Sequence, residues 1–131
     1  MNKIVTRQLF IINSQIIGES SPLSDESWKA LKQVAQAPYE QNENFYYIYK
    51  SLSAKAAKLG CEIVRLKPFD KENELTALVA SLTMLEINGL RIIDYKKDLD
   101  ELLRYFSDND VVKAEEWFEA HRADNAGAPK L

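Results

Sequence analysis

The sequence predicts an all-α domain, a bundle of about six helices around a central apolar helix. Three observations carry that reading. Apolar residues recur at three and four residues through most of the chain, the period of a helix with one buried face. The breaks between these stretches hold helix starts and stops: Ser24-Asp25-Glu26-Ser27, Pro38, Asn88-Gly89, Asp98-Leu99-Asp100-Glu101 and Asp110. The connections are short, and no internal repeat or low-complexity segment intervenes.

The elements follow in order. Leu9, Ile12 and Ile16, with Val5 a turn earlier, predict a helix over residues 4–17. So many β-branched residues leave a strand as the competing reading. Gly18 to Ser21 and Pro22 break the pattern. Ser24-Asp25-Glu26-Ser27 then starts a helix whose face is Trp28, Leu31 and Val34 or Ala35, and Pro38 ends it. After a polar loop, a long helix is expected from about Asn44 to Leu66. Its stripe is Phe45, Ile48, Tyr49, Leu52, Ala56 and Leu59, with Gly60 inside it. Tyr46, Tyr47 and Tyr49 read as core and rim packing rather than a base-stacking platform, because they lack basic partners.

Pro68 forces Lys67 out of the helical region, and Asn73 is the expected N-cap of the most apolar helix. Leu75, Leu78, Val79, Leu82, Leu85 and Leu90 mark that helix and its exit, and Asn88-Gly89 stops it. Residues 90–96 form a short, extended connection. Asp98 to Glu101 reads as a capping box opening a helix with Leu99, Leu102, Leu103 and Phe106 on one face. Asp110 caps the last helix, which carries Val111 or Val112, Trp117 and Phe118. With 131 residues there is room for one domain, 1–122, and a flexible tail over 123–131.

Composition removes several function classes. The net charge of −3 disfavours nucleic acid, and no basic run is interleaved with aromatics. The isoleucine-rich stretch 4–17 is interrupted by Arg7, Gln8, Asn13, Ser14 and Gln15, so neither a signal peptide nor a membrane span fits. The single cysteine, Cys61, permits no internal disulfide and suits a reducing, cytoplasmic setting. It reads as a small buried residue. The single histidine, His121, reads as a plain helix-surface residue, and no zinc spacing exists.

Chemistry is expected at the turn from Lys67 to Glu74. A turn feeding a helix N-terminus offers free N–H groups and about half a positive charge, a natural place for a phosphate. From Lys67 to Gly89 the sequence resembles the Fic/Doc family, of filamentation and death-on-curing proteins. The family motif is His-x-Phe-x-Asp-Gly/Ala-Asn-Lys-Arg-Thr-Ala-Leu, then a leucine-rich helix and Asn-Gly. Pro68-Phe69, Asn73, Thr76-Ala77-Leu78 and Asn88-Gly89 match it. The helix from Leu23 to Ala37, the long helix before the motif and the closing Trp117 to Arg122 also look like the small Doc type.

The resemblance implies a Fic/Doc-like helical bundle and specific slots. Lys67 stands in the slot of the histidine that acts as general base, and an ordinary lysine is an ammonium that cannot accept a proton. Lys71 stands where the family's Mg²⁺-binding acid lies, with Asp70 one place earlier as the metal ligand if any. Glu72 replaces the small residue that lets amides close on phosphate, and Glu74-Leu75 replaces the phosphate-holding Lys-Arg pair. Both glutamates repel a triphosphate. Phe69 and Asn73 keep their family identity.

Two functions are therefore expected. The first is a catalytically degenerate binding protein of a toxin–antitoxin or phage-related system, with no cofactor, whose partner is an antitoxin-like chain or a translation factor. The alternative is a transferase that uses ATP and Mg²⁺ to move a phosphate or AMP group to a protein hydroxyl. Elongation factor Tu is the target in Doc-type relatives.

Overall fold

A computed structural model of the chain describes residues 1–20 and 22–123. The tail expected over 123–131 lies, from residue 124 onward, outside the described residues. Among the described residues there are six α-helices: α1 (Thr6–Ile17), α2 (Asp25–Gln36), α3 (Leu52–Leu66), α4 (Asn73–Ile87), α5 (Leu99–Ser107) and α6 (Val111–Ala120). Short 3-10 turns follow α2 at Ala37–Tyr39 and precede α5 at Lys96–Asp98. Among the described residues there is no strand, only two isolated bridges. The all-α expectation holds, and residues 4–17 resolve as helix rather than strand.

Several ends are built as the sequence predicts. The Ser24 hydroxyl accepts from the Ser27 N–H at 3.1 Å, with Asp25 and Glu26 in the first turn of α2. Asp110 accepts from the Lys113 N–H at 3.1 Å and caps α6. Gly89 takes the left-handed conformation beyond α4 (φ 85°). The Leu90 N–H then reaches Leu85 C=O at 2.9 Å and the Gly89 N–H reaches Glu86 C=O at 3.0 Å, a Schellman pair. Asn88 does more than stop the helix. Its side chain exchanges hydrogen bonds with the Asn2 backbone, at 2.7 Å and 2.8 Å, fastening the N-terminal segment to α4.

The central helix is α3, not the more apolar α4. Eleven of its fifteen residues are buried, so it is covered nearly all round. It packs against α2, α4, α5, α6 and the 3-10 turn after α2, whereas α4 packs chiefly on α3 and α1. The expected α4 face is only partly right. Leu78 and Leu85 are buried, but Leu75 is exposed, and the rest of the buried face is Thr76, Ala77, Ala80, Ser81 and Met84. Small residues let two backbones approach. Leucine count measured apolarity and missed closeness of packing.

The start of α3 is also corrected. The helix begins at Leu52, not near Asn44. The Ser51 hydroxyl accepts from the Ala54 N–H at 2.9 Å and caps it. Upstream, the Asn42 carboxamide oxygen accepts from the N–H groups of Asn44 (2.9 Å) and Tyr46 (3.2 Å). Backbone bonds Asn42 N–H to Tyr46 C=O and Ile48 N–H to Glu40 C=O, both 2.9 Å, complete a small hairpin-like loop with Phe45 at φ 65°. An asparagine that bonds its own following backbone favours a turn over a helix. Residues 90–96 do run extended in part: Ile92 bridges Arg122, and Ile93 N–H meets His121 C=O at 3.0 Å.

The capping box at Asp98 does not form. Its carboxylate lies 2.9 Å from His121 Nε2 instead, and its C=O accepts from Trp117 Nε1–H at 3.0 Å. His121 is accordingly not a plain surface residue. Its ring stacks on Trp117 at 4.0 Å, and its Nδ1 lies 2.7 Å from Trp117 C=O.

Two buried features of α3 lead to measurements. A Cβ at Gly60 would lie against Phe106 Cζ and 2.5 Å from its Cε1, far inside van der Waals contact. Alanine ordinarily improves a helix by about 1 kcal/mol over glycine. Here Gly60→Ala is expected to destabilise by about 1–3 kcal/mol through overpacking, read as a lower Tm. Adding Phe106→Leu should recover part of that loss relative to Phe106→Leu alone.

Glu62 is 2 % exposed and takes hydrogen bonds from Lys58 Nζ (3.1 Å), Arg65 Nε (2.9 Å) and Arg65 Nη2 (2.8 Å). Burial opposes its ionisation, but those bonds outweigh burial and hold the carboxyl below the ordinary 4.5. Below pH 4.5 the unfolded chain binds a proton that the folded chain still refuses. Stability should therefore fall as pH drops through that window. Denaturant titrations of Glu62→Gln should show a shallower fall than wild type.

Candidate functional site

The turn between α3 and α4 is built around two residues in the left-handed region. Lys67 (φ 45°, ψ 60°) ends α3, its N–H meeting Ile63 C=O at 3.0 Å. Glu72 (φ 59°, ψ 36°) begins α4. Neither is glycine, so each conformation costs roughly 1–2 kcal/mol of backbone strain. Between them Pro68 and Phe69 are buried, and Phe69 belongs to the main core. Burial of the ring offsets the strain.

Asn73 closes the turn. It is the first helical residue of α4 and not its cap, because Glu72 occupies the cap position with no side-chain cap bond. The Asn73 carboxamide instead copies a backbone partner: its oxygen accepts from Phe69 N–H at 3.1 Å and its nitrogen donates to Phe69 C=O at 2.8 Å. Asn13 of α1 holds the turn from the other side. Its buried amide donates to Lys71 C=O and to the Thr76 hydroxyl, both at 3.0 Å. Sequence reading treated Asn13 only as a polar interruption. The available signal was its spacing, four residues beyond Leu9 on the buried face of α1.

The charged residues of the motif face outward. Lys67, Asp70, Lys71, Glu72 and Glu74 are all exposed. Lys71 Nζ lies 3.8 Å from Glu19 Oε1, and both side chains are solvated, so the pair contributes little. Asp70 and Lys71 edge a crevice with Phe10, Asn13 and Leu23, of about 50 Å³. Small-molecule sites run from roughly 300 Å³ upward. Glu72 at the cap position and Glu74 in the first turn add two negative charges at the start of α4, which opposes a phosphate there. Among the described residues, no three His, Cys, Asp or Glu side chains are grouped to hold a metal ion.

The single cysteine and the single histidine are engaged elsewhere. Cys61 is fully buried, its thiol 3.9 Å from Tyr105 C=O, and burial pushes it up to about 12, so it stays a thiol at neutral pH. His121 has both ring nitrogens on Asp98 and Trp117.

The feature missed by sequence reading is the loop before α3. Phe45 is 81 % exposed, Tyr46 67 %, Ile48 51 %, and Tyr47 also faces solvent. Val112 of α6, 66 % exposed, continues this apolar surface. Ile48, Tyr49, Val111, Val112 and Glu115 line a groove of about 400 Å³ beside it. The Ser51 hydroxyl donates to Glu115 at 3.2 Å and ties the loop to α6. Large apolar side chains gathered at a surface mark interaction sites. The helical stripe assigned to Phe45 and Ile48 was periodic, but the Asn42 turn and Ser51 cap direct those residues outward.

Removing the Asn73 amide should loosen the turn. Asn73→Ala leaves Phe69 N–H and C=O without partners and is expected to cost about 1–3 kcal/mol. Asn73→Asp keeps the acceptor and loses the donor, so its Tm should fall between the two. The chain matches no family model, no curated protein and no solved structure, so its resemblance to Fic/Doc proteins over 67–89 stays a resemblance.

Proposed function

We propose that this chain is a Doc-like helical protein that acts by binding another protein, within a toxin–antitoxin or phage-related system of the cytoplasm, and does not transfer phosphate or AMP. The observation that carries the reading is the exposed ridge Phe45-Tyr46-Tyr47-Ile48 with Val112 and its adjoining groove. Aromatic side chains supply most of the energy at protein interfaces, and each buries about 150–250 Å². An antitoxin-like chain or a translation factor is the proposed partner.

The turn supports the same reading. A lysine fills the general-base slot, glutamates fill two phosphate slots, and the neighbouring crevice is too small for a nucleotide. On this reading neither ATP nor Mg²⁺ is needed. The alternative, a transferase using Asp70 for the metal and Lys67 at the phosphate, requires that crevice to open.

Two measurements decide between them. Calorimetric titration with ATP and Mg²⁺ should give no heat at millimolar nucleotide. A micromolar affinity, lost in Lys67→Ala, would overturn the binding reading in favour of transfer. In parallel, a partner captured from lysate by the wild type should be lost with Phe45→Ser/Tyr46→Ser, whose exposed changes leave the fold intact. Equal capture by that variant would show that the ridge is not the binding surface.

A further inference from the structure

We infer that Lys55 is the positioning residue of the ridge: its buried ammonium holds the loop 47–50 so that Phe45, Tyr46 and Ile48 stay presented to a partner. The partner role rests on the binding reading above, but the latch itself is a property of the isolated chain.

Lys55 is the fourth residue of α3 and is 2 % exposed. Its ammonium donates to the C=O of Tyr49 and, at 3.1 Å, to the C=O of Lys50. The Tyr47 ring covers it, with the nitrogen 4.5 Å from the ring centre. One side chain thus touches the loop that carries the ridge at residues 47, 49 and 50. Asn42 closes the other end of the same loop through Asn44 and Tyr46. The ridge is held between these two polar anchors.

The lysine is an expensive choice for this position. Among the described residues no carboxylate lies within ion-pair distance of it, and the nearby Glu62 is taken by Lys58 and Arg65. Burial pushes its pKa down from the ordinary lysine value. It also sits in the opening turns of a helix, where the dipole disfavours a cation. A methionine would fill similar space without those costs, but it would leave the Tyr49 and Lys50 C=O groups without this donor. Packing alone does not account for Lys55.

Loop geometry does. Exposed apolar side chains next to an apolar groove gain by folding onto their own chain. Something must fix the backbone beneath them. The carbonyl oxygens at 49 and 50 are where α3 takes hold of the loop through Lys55, and an ammonium has three donors on a long stem to reach them. A fixed ridge also binds with less ordering cost than a mobile one.

Limited proteolysis with chymotrypsin tests this, since Phe45, Tyr46 and Tyr47 are three adjoining cleavage sites. Lys55→Met should remain helical by circular dichroism, melt cooperatively, and be cut at Phe45 and Tyr46 at least tenfold faster. Tyr47→Leu removes only the covering ring at an exposed position, and should raise cutting at Phe45 and Tyr46 severalfold. Wild-type cutting rates in folded Lys55→Met would overturn the latch. Should Lys55→Met fail to fold, Tyr47→Leu alone decides, and an unchanged rate there overturns it. Neither assay contains a partner. A protected loop in Lys55→Met therefore leaves the binding reading standing, while equal capture by the Phe45→Ser/Tyr46→Ser chain overturns that reading and leaves the latch.

Discussion

The fold depends on how closely the other helices can approach α3. That approach is set at Gly60, whose missing side chain leaves the space that the Phe106 ring of α5 fills. Phe106 in turn meets Phe118 of α6 at 6.4 Å between ring centres, and Phe118 meets Trp117 edge-on at 5.6 Å. Trp117 carries the stack with His121 and the bond to Asp98. A single absent Cβ thereby seats α5 and α6 against the centre. On the opposite side, the small buried residues of α4 allow the same closeness, and α1 then packs on α4.

Two surfaces of α3 are prepared differently. At its C-terminal end the chain leaves through a strained turn closed by Asn73 and Asn13, with every charged motif residue in solvent. The turn is well fastened yet encloses little space. At the N-terminal end the chain arrives through a loop that offers apolar side chains outward beside a larger groove. Polar anchoring is spent on holding shape at both ends, but only the second end exposes a surface that water solvates poorly.

Much of the helical framework was legible in the sequence, because caps and stops act locally. Ser24, Asp110 and Asn88-Gly89 each cap or stop a helix within five residues. What was not legible depends on distant partners. Periodicity placed Phe45 and Ile48 on a buried face, yet nothing in a three-four spacing says whether the stripe points to a core, and the Asn42 turn decided otherwise. Asp98 had the pattern of a capping residue, but His121 arrives from 23 residues away and takes the carboxylate. Asn73 was singled out correctly as important to the turn, with the wrong partner. Lys55 could not be ranked at all, since a polar residue reveals its worth only once it is known to be buried, and Asn13 offered only its spacing from Leu9.

The ties across the molecule differ in how far along the chain they reach. Trp117 and His121 close on Asp98 over 19 and 23 residues, whereas Asn2 and Asn88 meet across 86. Loop-closure entropy grows with the logarithm of that span, so the longer tie begins at a disadvantage of about 1 kcal/mol. It is also made by exposed groups. The segment before α1 is thus held at its start by a long-range tie of exposed groups, and Ile4, buried beneath it, is the core side chain that a local opening there would wet.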